Sequence, residues 1–234
     1  MQSDLNNPLY RLFLERGNRT KSMDKWHHYF DIYHRFFNKY RGKPITIYEI
    51  GVQRGGSLQM WQEYFGPQAK IVGLDKDIGC AAHATDSTPI FVGDQADPSF
   101  LRMVIDQSGP PTLVIDDGGH SSNQQIMSFE TIYSTMPSNG VYLVEDTHCN
   151  FWGGQWDDRG GETFLDYAFE RCMDLHDWTK NPGRFGPMSV PPSQRTDSGP
   201  NVSSFCRRTG AVSFFDSVVV FERQDRQEPW REVR

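Results

Sequence analysis

Two short acidic clusters hold the side chains best suited to chemistry, Asp116-Asp117-Gly118-Gly119-His120 and Glu145-Asp146-Thr147-His148, each directly after an apolar, β-branched run. Thr112 to Ile115 and Val141 to Val144 have the composition of fully buried parallel strands. Residues that follow such strands lie at the carboxyl rim of the sheet, where open α/β sheets bind ligands. Neighbouring strands run about 4.8 Å apart. If these two are neighbours, Asp117, Glu145 and Asp146 offer three hard oxygen ligands to one point, a donor set for magnesium with positions left for substrate oxygens. His120, three residues after Asp117, is expected to be a general base that takes the proton of a metal-bound hydroxyl. Asp116 is expected to cap the following helix, and His148 to be structural. Zinc through His120 and His148 would lack a third soft ligand.

The elements that must position these groups alternate. Aromatic residues at helical spacing from Trp26 to Phe37 predict an amphipathic helix within a lead-in from Asn7 to Tyr40. Strands are expected at Ile45–Gly51, Lys70–Asp75, Pro89–Asp94, Thr112–Ile115 and Val141–Val144. Helices are expected between them, one opened by Asp97-Pro98 as cap and first helical residue. A Gly- and Trp-rich loop, 151–161, has the polar and aromatic character of a lid. A helix from Glu162 to Trp178 follows, then Pro- and Gly-rich irregular chain from Asn181 to Asn201. Two tail strands, Ala211–Phe215 and Ser217–Glu222, predict an antiparallel hairpin. The pattern is that of a doubly wound, mostly parallel α/β sheet.

The first turn, Glu49-Ile50-Gly51-Val52-Gln53-Arg54-Gly55-Gly56-Ser57, brings glycines to a helix N-terminus where backbone can pass close to a ligand. It lacks the second tight glycine of the dinucleotide motif. Asp75 lies 24 residues beyond Gly51 (75 minus 51), a suitable distance for an acid that binds ribose hydroxyls. Asp94 or Gln95 could meet an adenine edge. This combination fits S-adenosylmethionine, whose methionine needs no diphosphate cradle.

The bulk composition narrows the partners. A chain of 234 residues with net charge -6 and no basic block suits one domain and a small-molecule ligand rather than nucleic acid or a membrane surface. Four scattered cysteines, Cys80, Cys149, Cys172 and Cys206, fit reduced thiols in the cytoplasm. No stretch approaches the roughly 18 apolar residues of a membrane span.

These motifs resemble those of the metal-dependent sugar O-methyltransferases of macrolide and other natural-product biosynthesis, the mycinamicin and tylosin type, to which the cephalosporin hydroxylases are related. The residues that carry the resemblance are Tyr48 to Val52 through Trp61, Ile115 to Ser121, Val144 to His148, Met23 to Tyr29, and Val212 to Ser217. The resemblance implies a class I methyltransferase fold of seven strands with a C-terminal antiparallel hairpin. It implies a helical lead-in over 1–42, a methyltransferase domain over 43–234, and lid loops at about 147–161 and 181–204. It implies S-adenosylmethionine and Mg2+ as cofactors and transfer to a vicinal diol of a deoxysugar, nucleotide-linked or on a glycoside. Asp117, Glu145 and Asp146 would hold the metal and His120 would be the base. Glu49, Gly51, Ser57, Asp75, Asp94 and Gln95 would contact the cofactor, with Asp116 set beside them. Lys25, His28, Tyr29 and Trp152 would face the substrate, and the enzyme would be a homo-oligomer. The alternatives are a hydroxylase-like subunit and a cofactor-binding partner of another enzyme. The mycinamicin-type enzymes carry a large extra N-terminal domain, whereas about 40 residues precede the first strand here.

Overall fold

A computed structural model describes residues 4–15, 20–197 and 199–234. Part of the expected lead-in, residues 1–3 and 16–19, and Ser198 of the second expected lid loop lie outside the described residues. Seven strands form one sheet in the order β3-β2-β1-β4-β5-β7-β6. β1 (Thr46–Ile50), β2 (Lys70–Asp75), β3 (Ile90–Val92), β4 (Leu113–Asp116) and β5 (Val141–Val144) are parallel, while β6 (Thr209–Phe215) and β7 (Val218–Arg223) close the edge as an antiparallel hairpin. This is the expected fold class. The strand order reverses between β1 and β4, so a crevice opens at their carboxyl ends.

Strand side chains alternate between two buried layers. Ile47, Ile71, Ile115 and Leu143 face α1 (Pro8–Glu15), α2 (Tyr29–Phe37) and α3 (Gly56–Phe65). Tyr48, Val72, Val114 and Tyr142 face α4 (Pro98–Ser108), α5 (Ser122–Tyr133) and α6 (Phe164–Asp174). A short α7 (Ser204–Arg208) leads into β6. Most helices start where a polar side chain caps them. Asp97 accepts from the Ser99 N–H ahead of Pro98, and Thr163 and Asp166 form a capping box. The expected cap of α5, Asp116, lies inside the sheet, and Ser121 caps that helix instead.

The lead-in departs from one amphipathic helix. Asn7 Oδ1 caps α1 ahead of Pro8, and α2 starts only at Tyr29, so Ser22, Asp24, Lys25 and Trp26 lie in a non-helical segment. That segment crosses above the β1–α3 turn. A Cβ on Gly56 would stand 2.3 Å from the Ser22 carbonyl oxygen, so only glycine lets the two backbones meet. The loop expected at 151–161 follows a 3-10 turn at Thr147–Phe151 and holds another at Gly154–Trp156. Asp158 ties it to the start of α5 by accepting from the Ser121 hydroxyl at 2.6 Å and the Asn123 N–H at 2.8 Å. Among the described residues no helix is long and apolar enough to cross a membrane.

Candidate active site

A cleft of about 840 Å³ opens at the carboxyl ends of β1, β2, β4 and β5. One end is lined by the β1–α3 turn with Gly51, Ser57, Asp75, Asp94 and Gln95, and the other by Asp117, His120, Glu145 and Asp146. Lys25, Trp26 and Tyr29 wall it from the lead-in.

β4 and β5 are neighbours, with Asp116 opposite Val144, so the two acidic clusters leave the sheet side by side. Asp117, His120 and Asp146 each place one ligand atom within 4.8 Å of the others. His120 Nε2 lies 3.9 Å from Asp117 Oδ1 and 3.6 Å from Asp146 Oδ2. His120 and Asp146 have φ of +59° and +52°, a left-handed conformation that costs non-glycine residues energy and gathers at functional sites. At Asp146 this turn separates its side chain from that of Glu145. The chemistry of the two carboxylates fits a hard divalent cation, with the imidazole beside them placed as a base.

Glu145 also lines the cleft, paired with Lys25. Its oxygens lie 3.0 and 2.9 Å from Lys25 Nζ, which also meets Asp117 Oδ2 at 2.5 Å. Glu145 is the third metal ligand expected from the sequence, and Lys25 an expected substrate contact. Here the ammonium binds two of the expected metal ligands, because the extended segment delivers it to the end of β5. The Lys25 and Glu145 side chains are 3% and 1% exposed. Burial works against a charged Lys25, but the Asp117, Glu145 and Glu49 carboxylates outweigh it and push the lysine pKa up. Burial and the Asp117 charge push Glu145 well up, against the pull of Lys25. Tyr29 donates to Asp146 Oδ1 at 2.6 Å.

Two expected cofactor contacts lie off the cleft. Glu49 is fully buried and accepts from Trp61 Nε1 at 3.0 Å, because alternation along β1 turns it under α3. Burial, partly offset by Lys25 and Trp61, pushes its pKa up to about 7. Asp116 is buried within a network, accepting from Ser128 at 2.5 Å, Tyr142 at 2.9 Å and Gln95 Nε2 at 2.9 Å. Burial holds its pKa up against those donors. Gln95 also accepts from the Gly119 N–H, so it braces the loop that carries Asp117. Asp75 accepts from the N–H groups of Val52, Gln53 and Asp77 at 2.8, 3.0 and 2.9 Å, so it shapes the Gly-rich turn. Burial raises its pKa, but those N–H groups outweigh burial and hold it low. Asp94 accepts from the Ala96 N–H and is exposed in the cleft.

Of the expected substrate residues, Lys25 and Tyr29 line the cleft, whereas His28 and Trp152 do not. His28 approaches the Asp216 carbonyl, and Trp152 meets the His148 and Trp156 rings edge-on. His148 does not join Asp117, His120 and Asp146, so they form no two-histidine set. Trp26, within the stretch Asp24 to Tyr29 that the resemblance makes a wall of the site, lines the cleft, and so does Gln124, to which the sequence assigns no role. Trp26 continues the aromatic stripe in sequence but precedes the helix and is 55% exposed. Gln124 carries no signal in a single sequence.

No protein-family model matches the chain. It is 34% identical over 169 residues to 8-demethyl-8-(2-methoxy-alpha-L-rhamnosyl)-tetracenomycin-C 3'-O-methyltransferase of Streptomyces olivaceus, a match covering 66% of this chain and 42% of that protein. It is 31% identical over 214 residues to the 8-demethyl-8-alpha-L-rhamnosyl tetracenomycin-C 2'-O-methyltransferase of the same organism, covering 86% and 52%. It is 35% identical over 136 residues to mycinamicin VI 2''-O-methyltransferase of Micromonospora griseorubida, covering 53% and 33%. The chain thus spans about half the length, or less, of the curated relatives it matches. Among solved structures, the methyltransferase MycE of mycinamycin biosynthesis, in complex with Mg, SAH and mycinamycin VI, superposes with a TM-score of 0.73 at 25% identity. That match covers 98% of this chain and 56% of MycE.

Proposed function

The chain is a homologue of the sugar O-methyltransferases of macrolide and tetracenomycin biosynthesis, and from that premise we propose that it methylates a hydroxyl of a deoxysugar. The acceptor is a small-molecule glycoside or nucleotide-linked sugar, bound through two adjacent hydroxyls. The observation that carries this reading is one cleft with Asp117, His120 and Asp146 at one end and the β1–α3 turn with Asp75 and Asp94 at the other. The Mg and SAH of the MycE complex point to Mg2+ and S-adenosylmethionine as the ligands of this cleft. When bound, these supply a Lewis acid that lowers the pKa of a hydroxyl and an electrophilic methyl group.

The rest falls to the chain. Asp117 and Asp146 would hold the cation, joined by Glu145 through the lone pairs that its contacts with Lys25 leave over. Ser57, Asp94 and the turn shaped by Asp75 receive the donor. His120 Nε2, beside both carboxylates, accepts the proton of the acceptor hydroxyl. Trp26 orients the acceptor within a methyltransferase domain over 43–234; neither expected lid loop, 147–161 or 181–204, places a described residue in the cleft lining, and the second packs instead on Trp178 and Trp230.

The test is transfer of labelled methyl from S-adenosylmethionine to a panel of rhamnosides, macrolide glycosides and nucleotide-linked deoxysugars, with and without a chelator. Transfer is expected to vanish on chelation and in Asp117→Ala, and to fall roughly 10²–10⁴-fold in His120→Ala. Transfer that survives both chelation and Asp117→Ala refutes the cation role.

A further inference from the structure

Asp117 and Asp146 divide their carboxylate oxygens in the same way. Asp117 Oδ2 is held by Lys25 Nζ at 2.5 Å and its Oδ1 lies 3.9 Å from His120 Nε2. Asp146 Oδ1 is held by Tyr29 OH at 2.6 Å and its Oδ2 lies 3.6 Å from the same nitrogen. Both holding groups come from the lead-in, four residues apart, and both remaining oxygens face one imidazole. We infer that Lys25 and Tyr29 are positioning residues for the divalent cation, aiming one oxygen of each aspartate into the cleft, and that Lys25 stays in place when the cation binds.

The competing arrangement is an exchange, in which the ammonium fills the cation's place and is expelled by it. Three observations favour the pair. The oxygens that Lys25 occupies are not those that face His120, so the two cations need not share a position. Glu145 is 1% exposed and Lys25 takes both of its oxygens, so expelling Lys25 would strip a buried carboxylate of its ion pair. Finally, the Asp146 oxygen that faces His120 is likewise not the one that Tyr29 holds, so each aspartate keeps one oxygen for the cation while the lead-in stays bound. Carboxylates that ligate metals are themselves commonly held by such donors, and removing an outer donor weakens metal binding about 10–100-fold.

The inference rests on the cation site of the proposed function, and its test separates the two. Mn2+ is titrated into the full chain and followed by electron paramagnetic resonance, for the wild type, Lys25→Met and Tyr29→Phe, with near-ultraviolet circular dichroism to follow the fold. Mn2+ affinity is expected to fall about 10–100-fold in Lys25→Met and in the same direction in Tyr29→Phe. Unchanged or tighter binding in a folded Lys25→Met means exchange and overturns the inference. Should Lys25→Met lose its native spectrum, Tyr29→Phe, which removes one hydroxyl, decides alone, and unchanged binding there overturns it. A wild type that binds no Mn2+ overturns both this inference and the cation role. Weakened binding in the variants of a chain that methylates no sugar upholds the inference and refutes the proposed activity.

Discussion

Gly51→Ala tests how closely the donor turn and the cation cluster are built on one another. Gly51 has φ +91°, and a Cβ there would stand 1.9 Å from the Asp117 carbonyl oxygen, far inside contact distance and against backbone that cannot rotate away. Two costs add. A left-handed backbone costs an L-residue about 1–2 kcal/mol, and forcing atoms into a packed site typically costs about 1–3 kcal/mol, for a total of roughly 2–5 kcal/mol. Gly42→Ala is the internal control, because Gly42 has φ +70° but nothing within 4 Å of its Cβ position, so only the first cost applies. In a chain of this length each kcal/mol moves the melting temperature by about 2–4 °C. The control should therefore lose about 2–8 °C and Gly51→Ala about 4–20 °C. Calorimetry or urea titration measures both. Mn2+ titration should add a loss of affinity in Gly51→Ala alone, since relief of the clash must displace Asp117. Equal melting shifts for the two variants, with Mn2+ binding intact in Gly51→Ala, would refute the reasoning.

Two further outcomes are expected. Glu49 has a folded pKa pushed up to about 7, so its contribution to stability is complete below its unfolded pKa near 4.5 and is lost as pH rises through about 7. Glu49→Gln, which keeps an acceptor for Trp61 and cannot ionise, should remove up to about 3 kcal/mol of this decline. Urea midpoints from pH 5 to 8 without divalent metal check it, and parallel profiles for the two proteins would sink the assignment. At the cleft mouth, Trp26→Ala should raise the acceptor KM several-fold while Trp152→Ala changes it little, because only Trp26 lines the cleft. Steady-state kinetics on an accepted sugar decides this, and the reverse order would put the acceptor on the Trp152 side.

Much of the sheet was legible because its strands are short apolar runs that end in polar residues. Lys70–Asp75 and Val141–Val144 come out with the expected bounds, and Asp97-Pro98 opens its helix as expected. The lead-in was less legible. Aromatic spacing continues through Trp26 and hides the point where the helix starts, so the wall that the resemblance implies at Asp24 to Tyr29 could not be read as extended chain. At the site, the two acidic clusters were legible as strand ends, but the direction of each side chain was not. Glu49 is turned under α3 by alternation along a strand whose faces are both buried, so polarity gives no clue to its side. Asp116 and Asp117 are adjacent, yet one enters a network with Tyr142 and the other the cleft. Only the register of β1, β4 and β5 decides between them.

The crossing of the lead-in over Gly56 has a thermodynamic consequence. The segment that rests its Ser22 carbonyl on the β1–α3 turn also carries Lys25 to Asp117 and Glu145. A ligand that tightens the packing of this segment at one end lowers the cost of ordering it at the other. Ligands at the turn and at these carboxylates would then be coupled through a strip of chain that touches both places, and linkage makes such coupling reciprocal. Whatever factor saturating S-adenosylhomocysteine adds to Mn2+ affinity, Mn2+ must return to S-adenosylhomocysteine.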